Sequence, residues 1–424
     1  MKKTHCPINR INPANDWNYF FGYYDKSPWN KDETKVLAHR SKLLTNFPDS
    51  GETVEMGYIK LADGQFVKMG ETQSWNWQQG TQLQWLNQNE NGEEIIFNDF
   101  NGNKERSKIV NPASGKEKIV DSSIYTIAAN GKVALTLNYG RLYQNRKDYG
   151  YACAIDSWSD IDKPEQDGIY SVDIEKNTKK LILSIKEIAE YKENNLGLYT
   201  KHWVNHMMFN PSGTRFCFLH RFQRPDGIIY SRFFTANSNG KNLRLIFEGM
   251  ISHYSWKNDS TILAWAGKRK LLGQGESGKK DLLRPLKKII KPIYYALGKP
   301  RFLMQKIMGD SYYLIQDVES ENNAERIAFG KLISDGHCTI SSDKKWILTD
   351  GYTDRNNKLP LYLYNMETEA LFEIGRYKTP KELDGEVRVD LHPRFNSSGD
   401  KVIIDSAMNG KRDMFLVDIK NIVN

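Results

Sequence analysis

One short phrase recurs along this chain and limits what it can fold into: an apolar anchor, a polar turn, then a strand-like run. The anchors are Trp29, Trp85, Ile127, Phe209, Trp256, Ile340 and Phe395. Behind them come Val36-Leu37-Ala38-His39, Glu94-Ile95-Ile96-Phe97, Val133-Ala134-Leu135-Thr136-Leu137, Phe216-Cys217-Phe218-Leu219-His220, Ile262-Leu263-Ala264-Trp265, Trp346-Ile347-Leu348-Thr349-Asp350 and Val402-Ile403-Ile404-Asp405. Third runs follow at 168–174, 361–365 and 414–418. A repeat of roughly 40 to 55 residues, each unit too small to bury its own core, is the cadence of propeller blades. Many aromatic residues, 22 of them tyrosine, suit strands better than helix bundles. The expectation is all-β: one seven-bladed β-propeller over residues 1–424 with four-stranded blades. The last repeat ends after its third strand, so a segment within residues 5–16 is expected to supply the missing outer strand and close the ring. A sandwich or two-domain β arrangement is the alternative.

Two intervals are long, which places insertions, with short helices, around blade three (138–205) and in blade five (267–310). Between Lys268 and Lys306 stand twelve Lys or Arg against Glu276 and Asp281, more than the whole chain's +8. Charge this concentrated points to a local partner rather than a nucleic-acid-coating surface, and no nucleic acid is expected. Leu and Ile interleave with the cations from Asp281 to Leu297, as in an amphipathic helix on an anionic membrane or an acidic polymer; a solvated basic flap is the alternative. No apolar window spans a bilayer, and Met1-Lys2-Lys3 leads into no apolar run. The expected setting is therefore the cytoplasm, with peripheral membrane contact through 268–306. Cys6, Cys153, Cys217 and Cys338 are too far apart for a disulfide framework or a thiolate zinc knuckle.

Of eight histidines, His206, His253, His337 and His392 each stand three residues before an anchor, in blades four to seven. One register puts them at equivalent places, the start of innermost strands near the mouth of the central channel. Imidazoles converging there, with Asp390 and Cys338 alongside, form a ligand set for zinc or manganese: His253, His337, His392, Asp390 and Cys338. The alternative is that they satisfy channel backbone and water. At the ends of second strands, His220 precedes Arg221, and Arg141 follows the third blade's second strand. Neighbouring arginine charge lowers an imidazole's pKa and favours a neutral base, unless His220 simply bonds a turn. Arg141, Arg146, Tyr149 and Tyr151 form a lining suited to acidic glycans, since arginine grips carboxylates and tyrosine stacks on sugar rings. Such aromatics also build rigid loops without ligands. There is no reliably spaced carboxylate pair for glycoside hydrolysis, no G-x-S-x-G elbow and no phosphate-cradling glycine loop.

The H-x-x-F-x-x-x-G pattern at His206, L-H-P-R-F-N-S-S-G-D at Leu391–Asp400, F-L-H-R at Phe218–Arg221, D-G-H-C-T-I-S-S-D at Asp335–Asp343 and N-Y-G-R-L at Asn138–Leu142 resemble the β-propeller polysaccharide lyases, the group of oligogalacturonate and short ulvan lyases. The resemblance implies β-elimination on an acidic polysaccharide or oligosaccharide. In that group a channel-mouth His or Tyr takes the uronate proton, an Arg or metal neutralises the carboxylate, and inner-strand histidines hold the metal. His392 matches a metal-ligand position, with Asp390 where those lyases carry a second histidine, and His220 resembles their strand-end catalytic His. On this reading His220, His206 or Tyr254 removes the proton, Arg141, Arg221 or a metal masks the carboxylate, and Arg146, Tyr149, Tyr151 and His202 contact substrate. The competing class is a non-catalytic glycan-binding or scaffolding propeller, because the fold hosts both.

Overall fold

The computed structural model describes the chain apart from residues 90–91, 103, 193–198, 224–226, 228, 268–304, 306–308, 321 and 424. Seven antiparallel sheets form the ring. From inside outward the first blade runs Asn18–Phe20, Lys35–Ser41, Val54–Lys60, Phe66–Thr72, and the second Gln84–Asn89, Gly92–Phe100, Glu105–Val110, Glu117–Val120. The third holds Thr126–Ile127, Val133–Thr136, Gly168–Asp173, Thr178–Ser184, and the fourth Thr200–Phe209, Arg215–Gln223, Ile229–Asn237, Arg244–Glu248. Met250–Asn258, Thr261–Gly267, Ser311–Gln316 and Ala324–Ile327 make the fifth. Thr339–Ile340, Trp346–Asp350, Lys358–Asn365 and Leu371–Lys378 make the sixth; Arg394–Phe395, Lys401–Ser406 and Asp413–Asp418 begin the seventh.

Every anchor pairs with the opening of its blade's second strand: Trp29 with Val36, Trp85 with Ile95, Ile127 with Ala134, Phe209 with Phe216, Trp256 with Ile262, Ile340 with Ile347, and Phe395 with Val402. The residue after the anchor explains why the chain reverses there. Asn30, Asn210 and Asn396 accept backbone N–H bonds from Lys35, Arg215 and Lys401 through Oδ1 at 2.8–3.0 Å, and Ser341 Oγ accepts from Trp346 at 3.0 Å. These side-chain turns satisfy donors that would otherwise be orphaned.

Ile8–Arg10 pairs antiparallel with Asp413–Asp418 and closes the ring, within the segment expected from the sequence. Lys2–Lys3 adds a strand the repeat did not announce, parallel to Leu371–Lys378 of the sixth blade. Deleting residues 1–10 bares both edges, and unpaired edges template association. The truncated protein is expected to form soluble oligomers or precipitate at concentrations where the full chain is monodisperse by light scattering.

The blade-three insertion contains the short helix Tyr139–Asn145, capped by the Asn138 side chain on Arg141 N, and Ile185–Glu190 follows behind a Ser184/Glu187 capping box. Of the blade-five insertion only Gly267, Gln305, Gly309 and Asp310 are described; apart from Gln305, the basic stretch 268–306 and its expected helix lie outside the described residues. Among the described residues no helix is long and apolar enough to cross a membrane. All four cysteines are buried thiols.

Candidate active site

The inner strands of blades four to seven are irregular at one level. Pairing in blade four shifts between Asn205 and Met208, and in blade five between Ile251 and Tyr254, so His206 and His253 sit on bulges. His337 and His392 stand just ahead of the short strands Thr339–Ile340 and Arg394–Phe395. His206 and His392 are left-handed, at φ 54° and 42°. A non-glycine residue holds that conformation only where surrounding structure enforces it, and such residues cluster at functional sites.

These bulges bring the rings together. His253 and His337 have centroids 4.1 Å apart, and His337 and His392 4.2 Å. Among the described residues, donor atoms of His337, Asp390 and His392 lie within 4.8 Å of one another, all three buried. His337 Nδ1 meets both Asp350 oxygens at 3.0 Å, and Asp350 also accepts the backbone N–H groups of His337 (2.7 Å) and His392 (3.2 Å). One carboxylate thus sets the orientation of two imidazole-bearing segments. The Nε2 atoms of His337 and His392 are buried without a hydrogen-bond partner. Two orphaned imidazole nitrogens beside a carboxylate, one held from behind by another carboxylate, fit a divalent cation of the zinc or manganese kind.

Charges around the group are uneven. Burial lowers the His337 imidazole, but Asp350, with help from Asp390, outweighs it and holds the group above its ordinary value. His392 is pushed well below, by burial first and then by His337. Asp390 is held low despite burial by Arg388, whose Nε donates to it at 2.7 Å. Arg388 also reaches Asp148 at 3.5 Å, and Asp148 is shared at 3.4 Å with Arg146, whose guanidinium covers the Tyr149 ring. Arg221 donates to Asn205 Oδ1 at 3.3 Å and interacts with Arg146, Tyr149 and Tyr254.

His253 belongs to the ring of histidines but not to the three-donor group; its Nδ1 meets Asp335 Oδ1 at 2.9 Å. Burial, partly offset by Asp335, keeps it below its ordinary value. His206 stacks on Tyr23, and its Nδ1 faces Gln79 Nε2 at 3.3 Å. Burial and then Arg221 push it well below its ordinary value. Cys338 lies instead with Leu263, Trp265, Tyr312 and Ile347 between blades, and burial raises its thiol well above the usual range.

Other residues singled out from the sequence are engaged elsewhere. His220 Nε2 and His202 Nδ1 meet at 3.0 Å in a stacked pair beside Phe222 in blade four, and burial lowers His202 to about 4. Arg141 clamps the insertion, donating to the carbonyls of His202, Trp158 and Ile161 and pairing with Asp156 and Asp167. Tyr151 stacks on Tyr139 at 4.1 Å and accepts from Asn98. The Tyr254 hydroxyl donates to the His206 carbonyl. Missing from the sequence reading are Tyr23, Asp335, Asp350 as an orienting group, and Arg388. The same register holds Lys26 and Gln82, three residues before Trp29 and Trp85: Lys26 acts electrostatically on His206, and Gln82 Nε2 donates to Gln79 Oε1 at 3.0 Å.

Fold and site define a seven-bladed propeller with a buried metal-type donor set just ahead of the inner strands of blades six and seven. No family model matches the chain and no curated protein matches it. Solved structures with this fold include an oligogalacturonate lyase in complex with manganese (13% identity, 98% of this chain and 93% of the other covered, TM-score 0.61). An oligogalacturonate lyase from Vibrio parahaemolyticus is similar (14% identity, 97% and 93% covered, TM-score 0.57). At these identities the likeness is one of fold.

Proposed function

We propose that this chain is a metal-dependent lyase that cleaves a uronate-containing acidic glycan by β-elimination at the channel mouth. The observation that carries the reading is the pair of orphaned Nε2 atoms, His337 and His392, converging with Asp390. Those three residues would hold the ion; manganese is favoured by the neighbour that binds it. A bound divalent cation supplies positive charge against the substrate carboxylate, without which the C5 proton is barely acidic.

The chain's own groups provide the rest. His253 donates Nδ1–H to Asp335, which fixes the tautomer and turns the Nε2 lone pair into the base that takes the C5 proton. Burial keeps that imidazole neutral and able to accept. Arg388, Arg146 and Arg221 orient the substrate carboxylate. Assigning the base to His253 rather than His220 follows from their partners: His253 has a carboxylate behind it and the donor trio beside it, whereas His220 is paired with His202.

His253→Gln is expected to lower formation of the near-ultraviolet-absorbing unsaturated uronate by about 10²- to 10⁴-fold, with manganese binding retained by electron paramagnetic resonance. A manganese-loaded wild type that binds acidic glycans yet eliminates none of a panel of them would support the scaffolding reading instead.

A further inference from the structure

The first blade sends one residue into the middle of the histidine cluster. Its inner strand stops pairing at Phe20↔His39 and resumes at Trp29↔Val36, and the intervening excursion carries Tyr23 and Tyr24 inward. Gly22 makes the turn possible: its φ is +115°, and a Cβ there would stand 2.9 Å from the Gln79 carbonyl carbon. The excursion is pinned from blade seven. Asp405 accepts from the Phe21 and Gly22 N–H groups at 3.2 Å, while Arg394, paired with Asp405 at 3.1 Å, donates to the Gly22 and Tyr23 carbonyls. Tyr24 is anchored from blade five, its hydroxyl bonded to both the N–H and the carbonyl of Tyr254.

With the backbone fixed on both sides, the Tyr23 ring reaches all four register histidines. Its centroid lies 5.0 Å from His206 in a parallel stack (6°), 5.2 Å from His392, 5.8 Å from His337 and 6.4 Å from His253. Tyr149 meets it edge-on at 6.0 Å. A buried ion pair and a glycine found in a conformation other residues avoid thus hold one phenol among the proposed base, the proposed metal ligands and His206. A phenol's ordinary pKa, about 10, leaves it protonated at neutral pH.

We propose that Tyr23 is the proton donor to the leaving glycosidic oxygen, an assignment that rests on the lyase reading above. His253 Nε2 takes the C5 proton, the C–H electron pair becomes the C4=C5 double bond, and the C4–O bond breaks with its pair remaining on oxygen. That oxygen takes the phenolic proton of Tyr23. The phenolate recovers a proton from the His253 imidazolium through solvent, so the net change is transfer of one hydrogen from C5 to the leaving oxygen, with no oxidant or reductant.

The test compares leaving groups in the manganese-loaded protein. On an oligogalacturonate, Tyr23→Phe is expected to lower kcat by about 10²- to 10³-fold with KM little changed, the usual scale for losing a general acid. On a 4-deoxy-4-fluoro uronide, whose fluoride leaves without needing a proton, the same variant should lose less than about tenfold. Phe keeps the ring stack, so manganese binding and thermal unfolding serve as folding controls. Equal losses on both substrates, or no loss on either, would overturn the donor assignment while leaving the lyase reading standing. Absence of elimination by the wild type on both substrates would instead remove the lyase reading, and the assignment with it.

Discussion

Asp405→Ala is expected to destabilise the protein by about 3–5 kcal/mol, the range for breaking a buried ion pair by deleting one partner. The substitution leaves the Arg394 guanidinium charged and only 2% exposed, and it strips the acceptor from two backbone N–H groups. Arg394→Met should cost less, because Asp405 keeps the Phe21 and Gly22 donors. The double variant should fall short of the sum, since the second substitution removes a charge the first had stranded. Urea unfolding of the three variants measures this; a loss under about 1 kcal/mol for Asp405→Ala would mean that the excursion is held by its packing instead.

Acid should weaken the fold through a second buried group. His39 is fully buried, stacks on Phe20, and accepts the Thr81 N–H through Nε2 at 3.1 Å. Burial lowers its pKa from 6.5 to about 3. The folded value lies below the unfolded one, so the unfolded chain binds more protons between pH 6.5 and about 3. The contribution is complete above pH 6.5 and is lost progressively as pH falls toward 3. At about 1.36 kcal/mol per unit, the loss reaches about 3 kcal/mol near pH 4.5. His39→Gln retains an acceptor for Thr81 and does not titrate, so its stability should fall less steeply over the same interval. Parallel pH profiles of the urea midpoint for wild type and variant would refute this account.

Why the fold was legible and the site only partly so follows from the same strands. Anchors, turns and second strands are local signals: Asn210 caps its own turn, and Phe209 pairs a few residues away with Phe216. The histidine register was legible because one residue type recurs at one offset. Side-chain direction was harder. His220 alternates with Phe218 and Phe222, and its face packs on Phe222 and Phe234 while Arg221 turns toward Tyr149 and Tyr254. A single residue of phase therefore separates the channel from the core between blades. Arg141 misleads for another reason: at the start of a short helix its guanidinium turns back under the insertion, where three carbonyls and two carboxylates surround it. Tyr23 had no repeat to betray it, since it lies where the first blade's inner strand leaves its sheet between Phe20 and Trp29. Asp335 and Asp350 needed three-dimensional neighbours before their carboxylates could be assigned to particular imidazoles.

Lys2–Lys3 and Ile8–Arg10 take their partners from residues 371–378 and 413–418. During synthesis these two strands leave the ribosome ahead of every other strand described, yet they are the last to find a sheet. Blades one to five can form behind them one at a time from near neighbours, but the strap must wait until translation has passed residue 418. Ring closure is then a single late event joining Ile8–Arg10 to Asp413–Asp418, slow because the contacts it makes are so distant in sequence. Until it happens, an assembled arc of blades has two open sides, and the interval is one in which a chaperone, or a neighbouring nascent chain, would meet them first.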